Sequence, residues 1–283
     1  MNRPISLAYL TVPGVTPVEQ THIAAEAGYD FVSFRLINLG VPGEPTADLL
    51  GPMMLRRTRA ALADTGLRLH DIELARILRE VDPKTFLPAF EAGAELGARH
   101  VIASAWTNVR NDRDFIAERF SEICDLAAPF GLTVNLEFPA FSRLACLGDA
   151  VEVLDVANRP NAGLLIDTLY WHFTRARLSD LRAVRRDWIN FLHICDAPAE
   201  IPSTREEMLT IARETRLYPG EGAIDFAALA AALPQVPLSI ELPNARRSAE
   251  LGHLGHARRC LEAAHKIFDR QGHAPLPRTG TAG

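Results

Sequence analysis

Eight short apolar runs, each followed by a turn and an amphipathic stretch, divide this chain from end to end. The runs that read as strands are residues 5–12, 29–36, 67–74, 100–106, 134–139, 162–168, 188–196 and 236–242. Helical periodicity predicts helices over 17–27, 47–64, 84–96, 112–129, 149–157, 178–186, 225–233 and 249–269, with a short extra one near 205–213. Local chemistry supports the first of these. Thr16 is suited to cap it, Pro17 to occupy its first turn and Gly28 to end it. Near-continuous apolar strands separated by helices predict a parallel sheet covered on both faces. Eight such units close into one (β/α)8 barrel of about 250 residues. That α/β barrel is expected over residues 1–271, with 272–283 a frayed Gly, Pro and Thr tail. An open doubly wound sheet is the alternative. It wants a nucleotide fingerprint, and neither G-x-G-x-x-G nor G-x-x-x-x-G-K-[ST] occurs at a strand end.

The charge balance narrows the partners. A net charge of −5 and a pI near 6.0 leave no basic footprint for nucleic acid or an acidic membrane surface. The two lysines, Lys84 and Lys266, fall outside the strands, so Schiff-base chemistry on a strand lysine is not expected. Cys124, Cys146, Cys195 and Cys260 are scattered without a C-x-x-C pair, as for free thiols in a reducing compartment. The first residues run directly into a strand, with no signal-peptide pattern and no apolar run long enough for a bilayer. A soluble, cytoplasmic protein is expected.

Four strands carry a polar group at or near the C-terminal end of an apolar run. They are Val134-Asn135-Leu136-Glu137, Leu164-Leu165-Ile166-Asp167, Phe191-Leu192-His193-Ile194 and Leu238-Ser239-Ile240-Glu241. An unpaired charge in such a run is costly and needs a partner. Each has a plainer reading by itself: a capping or ion-pair carboxylate for Glu137 and Glu241, a turn cap for Asp167, a satisfied core imidazole for His193. In a β/α barrel, however, strand C-termini form the active-site face, and consecutive strands are neighbours. Glu137, Asp167, His193 and Glu241 are therefore expected to converge on one divalent metal ion. Three carboxylates and an imidazole suit Mn²⁺, Mg²⁺, Co²⁺ or Zn²⁺, and the oxygen majority favours Mn²⁺ or Mg²⁺.

The pieces L-E-F-P at Glu137, I-D-T at Asp167, F-L-H-I-C-D at His193 and S-I-E-L-P at Glu241 occur in this order. With Gly28-Tyr29-Asp30-Phe31 and the stretch 216–226 (R-L-Y-P-G-E-G-A-I-D-F), they make nearly the whole chain resemble the xylose isomerase-like TIM barrel superfamily, in its sugar-phosphate isomerase/epimerase branch. The resemblance implies a metal-dependent isomerase or epimerase of a keto-sugar, sugar acid or related polyol. In such members a metal-stabilised enediolate forms, and two glutamates, here Glu137 and Glu241, act both as ligands and as the acid/base pair. A homo-oligomer, dimer or tetramer, is common in the family. There are departures. Many relatives carry His three residues after the strand-six Asp; here that position is Tyr170, with His172 two residues on, and either can take the substrate-facing role. Pro139 replaces a His found in some relatives. A DNA-repair role like that of endonuclease IV lacks its extra ligands. Two alternatives remain: a lyase of the 3-dehydroshikimate or inosose dehydratase type on the same metal site, and a non-catalytic barrel that binds a sugar-like ligand or a partner subunit.

Further candidates surround the four. Arg35 and Glu73 can contact substrate or form one rim ion pair. Trp106 and Asn108 can wall the cavity, or Trp106 can belong to the core. Arg216 can hold a substrate carboxylate or phosphate, or be a surface arginine. Asp196 can cap a segment or orient His193, and Glu221 is expected to pin its loop. His253 and His256 stand at i, i+3 on the last helix, where a solvated face is expected rather than a metal site. Specificity is expected from loops 38–46, 107–113 and 197–222.

Overall fold

The computed structural model describes residues 3–107 and 112–268. Its strands are β1 (Ile5–Leu7), β2 (Phe31–Arg35), β3 (Arg68–Ile77), β4 (His100–Ala105), β5 (Thr133–Glu137), β6 (Ala162–Asp167), β7 (Leu192–Ile194) and β8 (Leu238–Ile240). Each pairs in parallel with the next, and β8 pairs with β1 to close the barrel. The expected tail, 272–283, lies outside the described residues.

The helices are α1 (Pro17–Ala27), α2 (Pro52–Thr65), α3 (Leu87–Glu95), α4 (Arg113–Ala127), α5 (Leu147–Ala157), α6 (Thr168–Phe173), α7 (Leu178–Ala183), α8 (Arg205–Glu214), α9 (Phe226–Ala232) and α10 (Ala245–Phe268). α1 starts where local chemistry places it. The Thr16 side chain accepts from Glu19 N, Glu19 reaches back to Thr16 N, and Gly28 closes the helix at φ 96°. α2 begins at Pro52, five residues later than its periodicity suggests. Gly51-Pro52 resets the start, and the preceding stretch is loop. α6 was not expected. It follows β6 directly because the Asp167 carboxylate caps it, accepting from Leu169 N at 2.8 Å.

Strand ends also differ from the apolar runs. β3 continues to Ile77, since Arg76 and Ile77 still pair with Ser104 and Ala105 of β4. β1 stops at Leu7, and a 3-10 turn at Tyr9–Thr11 follows. There the Thr11 hydroxyl donates to Ile240 O at 2.7 Å and accepts from Leu242 N at 2.9 Å, tying the barrel seam. Two cores result. The larger lies between strands and helices. A small one of Ile102, Leu165 and Phe191, with Leu74 against it, plugs the barrel interior. Glu137, Asp167, His193 and Glu241 gather at the C-terminal ends of the strands and, like the plug, are buried.

Candidate metal centre

The register of the last four strands assembles the site. Glu137 ends β5, Asp167 ends β6 and is the Cα partner of His193 on β7, and Glu241 follows β8. One potential ligand atom from each of the four lies within 4.8 Å of every other. Donors on opposite sides of an ion held at about 2.0–2.2 Å stand roughly 4.0–4.4 Å apart, so the cluster is close to the size of one coordination shell. All four are buried, at 7%, 0%, 1% and 4% exposure. Water therefore does little to screen the three carboxylates from one another.

One cation already in the chain answers part of that charge. Arg216 is wholly buried, and its guanidinium spans two of the four residues. Nη1 is 2.8 Å from Asp167 Oδ2 and Nη2 is 2.8 Å from Glu241 Oε2. Nε donates to Ala212 O at 2.9 Å, and Nη1 also donates to Glu241 O at 3.0 Å. Glu137 has no such partner. Its Oε1 and both ring nitrogens of His193 are buried without a hydrogen bond among the described residues, with His193 Nδ1 3.6 Å from Glu137 Oε1 and 3.5 Å from Glu241 Oε2. Buried polar atoms of this kind need satisfaction. A divalent cation among them fits that need, because it would accept donation from Nδ1 and both glutamates at once.

The protonation pattern follows from the same geometry. Burial pushes the Glu137 carboxyl up to about 7. Burial also raises Asp167, against the pull of Arg216. At Glu241 burial pushes up, but Arg216 and His193 outweigh it and hold the group well below the usual carboxylate range. At His193 burial pushes down, but Glu241 and Glu137 outweigh it and hold the imidazole well above its ordinary value. Without an ion, protons stand in for part of the missing positive charge.

A cavity of about 360 Å³ opens above the centre and exposes Glu137, His193 and Glu241 to a ligand. Glu73, Trp106 and Tyr170 line it, as their candidate role requires. Glu73 also pairs with Arg35 at 3.2 Å, and Arg35 with Glu44 at 3.4 Å, so the rim ion pair is present. Trp106 donates to Ser104 Oγ at 2.7 Å and packs against Phe141, with ring centroids 5.9 Å apart. Asn108 lies outside the described residues.

Two expected substrate contacts sit elsewhere. Arg216 lies behind the four residues and does not line the cavity. Its guanidinium is already engaged on Asp167 and Glu241, which leaves it no free edge for a substrate anion. His172 does not line the cavity either; its Nε2 is 2.9 Å from Pro198 O. α6 is regular, and two residues along a helix turn a side chain by about 200°, so Tyr170 and His172 cannot share a face. The helix carries no bulge that would turn His172 toward the cavity.

Asp196 turns out to hold a loop. Its Oδ2 accepts from Gly220 N and Gly222 N, each at 2.9 Å, and its Oδ1 from Ala197 N and Ile224 N at 2.8 and 3.1 Å. Only glycine fits at 222, since a Cβ there would stand 2.2 Å from Ala197 O. Glu221 pins the same loop, accepting from Tyr218 N and pairing with Arg247 at 2.7 Å. His256 departs from the solvated face expected of it. It is fully buried, with Nδ1 3.1 Å from the Tyr218 hydroxyl and Nε2 2.9 Å from Leu242 O. His253 is half-buried against Ser248.

A family model described as the xylose isomerase-like TIM barrel matches residues 22–264. The chain belongs to this family. Within the xylose isomerase-like barrels, it is 29% identical to the inosose isomerase of Bacillus subtilis (strain 168) over 121 residues, 42% of this chain and 41% of that one. It is 25% identical to the 3-dehydroshikimate dehydratase of Pseudomonas putida (strain KT2440) over 259 residues, 84% of this chain and 38% of that one. The chain thus spans about two fifths of the length of these curated relatives. Among solved structures, that of the IOLI protein with a binding zinc atom superposes with a TM-score of 0.75 at 21% identity, over 95% of this chain and 99% of that one. That likeness shows the shared barrel. No helix among the described residues is long and apolar enough to cross a membrane.

Proposed function

We propose that this xylose isomerase-like barrel is a divalent-metal-dependent isomerase or epimerase acting on a keto-sugar, sugar acid or related polyol. The observation that carries the reading is the placement of Glu137 and Glu241. Both face the cavity, and His193 Nδ1 stands between them at 3.6 and 3.5 Å. A substrate seated over the centre would meet one carboxylate on each side. Glu137, Asp167, His193 and Glu241 would hold the ion, with Mn²⁺ or Mg²⁺ favoured by three oxygen donors and Zn²⁺ in keeping with the IOLI structure. When bound, that ion supplies the positive charge an enediolate needs.

The chain's own groups would move the proton. One glutamate takes it from the carbon next to the carbonyl, and the other returns one on the opposite face. Arg216 holds the Glu241 carboxylate in place from behind. The Tyr170 phenol, pushed well above its ordinary value by burial, remains a hydrogen-bond donor beside the substrate. Phe141 and Trp106 form an apolar wall that would limit water access. The free thiols support a reducing, cytoplasmic setting.

A second reading, a lyase, is favoured by the match to 3-dehydroshikimate dehydratase over 84% of the chain. The same proton abstraction would then be followed by loss of a β-hydroxyl, with Tyr170 the nearest candidate donor. One experiment separates the two. Metal-loaded protein is incubated with candidate substrates in deuterated water. Deuterium entering a carbon position without new ultraviolet absorbance is the isomerase outcome. A conjugated product marks the lyase. Neither signal across a broad polyol and sugar-acid panel would contradict both.

A further inference from the structure

Two arginines at the cavity wall have no carboxylate partner among the described residues, and the charges around them point to what they are suited to hold. Arg76, at the end of β3, donates from Nη2 to Leu39 O at 3.3 Å, and that is its one hydrogen bond among the described residues. Arg213, in the last turn of α8, makes no ion pair among the described residues. Both line the cavity that exposes Glu137, His193 and Glu241. They lie close enough to feel each other. Burial first, then Arg35 and Arg213, push the Arg76 guanidinium down, while Glu44 and Glu80 pull it up.

Arg35 shows what a satisfied guanidinium in this cavity looks like. It is paired with Glu73 and Glu44 and lies 4.7 Å over the Tyr9 ring. The charges can be followed in order. A divalent ion and Arg216 together balance Glu137, Asp167 and Glu241, with His193 neutral as a ligand. Arg35, Glu44 and Glu73 leave one negative charge. Arg76 and Arg213 bring two positive ones. Counted over these groups alone, the loaded site is one negative charge short of neutral.

We infer that Arg76 and Arg213 form an anion subsite, and that the substrate carries a carboxylate or phosphate there while its keto-alcohol end meets the four-residue centre. Guanidinium forks match both groups in bidentate geometry. This rests on the isomerase or lyase reading of the same cavity, and it moves the anion-holding role from Arg216 to two residues that line the wall. It also narrows the substrate class, from sugars and polyols in general to those bearing an acid group.

The test is calorimetric titration of the metal-loaded protein with two matched pairs. One is shikimate and its methyl ester; the other is fructose 6-phosphate and fructose. The charged member of at least one pair should bind about tenfold tighter or more, as expected for charge-assisted hydrogen bonds. The responding pair says whether carboxylate or phosphate is preferred. Arg76→Met and Arg213→Met should each remove most of that preference while changing affinity for the neutral member by no more than about twofold. Arg213 is exposed, so its variant keeps the test valid should Arg76→Met fail to fold. Equal binding within both pairs, no binding by any of the four, or a preference that survives in both variants would overturn the subsite. Deuterium exchange, measured alongside, keeps the two ideas apart. A charge preference with neither exchange nor a conjugated product across the substrate panel sustains the subsite and removes the reaction; either signal without a charge preference does the reverse.

Discussion

Arg216→Met is the most informative single perturbation of the protein's stability. The side chain has no exposed surface and lies 2.8 Å from both Asp167 and Glu241. Methionine keeps much of its length and removes the charge. Two carboxylates then remain buried beside a third, Glu137, with no guanidinium in contact among the described residues. Removing one partner of a buried ion pair costs about 3–5 kcal/mol. A chain of 283 residues has an unfolding entropy near Tm of about 0.6 kcal/mol per kelvin, from about 2.1 cal/mol/K per residue. The expected loss is therefore roughly 5–8 °C in Tm. The assay is a thermal melt in chelator, repeated with excess divalent metal. The gap should narrow with metal, because an ion neutralises the same carboxylates. Arg258→Met is the control. Its 3.0 Å pair with Glu26 is exposed on both sides and should leave Tm essentially unchanged. An Arg216→Met protein that melts with wild type in chelator would refute the reasoning that this guanidinium holds the centre's charge.

Other outcomes follow from the same geometry. Glu137→Gln and Glu241→Gln should each lower turnover by about 10²–10⁴-fold, the usual range for a lost acid or base, while circular dichroism shows a folded barrel; full activity in either would remove that residue from proton transfer. Metal affinity should rise with pH. Glu137, at about 7, and His193, held well above its ordinary value, carry protons in the metal-free site that the ion must displace. Below about pH 7 the binding constant should therefore fall by roughly one to two decades per pH unit, and a flat profile would exclude this linkage. Asp196→Ala removes the acceptor of four backbone N–H groups. A loss of about 3 kcal/mol and faster proteolysis near residues 219–224 are expected, against unchanged cleavage if the loop holds itself.

The barrel was legible because apolar runs and amphipathic stretches alternate without interruption. Glu137, Asp167, His193 and Glu241 stood out for a related reason: each is a chemical misfit in or just after a run that is otherwise buried. What the alternation hides is depth and rotation. Arg216 sits in R-E-T-R-L-Y, a polar stretch that looks like surface, and its burial depends on carboxylates tens of residues away. The choice between Tyr170 and His172 needs the start of α6, which is set by the Asp167 carboxylate capping it. Arg76 is hidden in the sequence because the apolar pattern of β3 fades before the strand does. His256 looked solvent-facing by spacing alone, yet its partners, Tyr218 and Leu242, come from other turns of the fold.

The central claim is that Glu137, Asp167, His193 and Glu241 together hold a cation. Titrating chelator-treated protein with Mn²⁺, Mg²⁺ and Zn²⁺ by calorimetry, for wild type and His193→Ala, tests it most directly. One ion bound per chain in wild type, with affinity lost in the variant, is the predicted result. No binding of any of the three, or binding that His193→Ala leaves untouched, would contradict it.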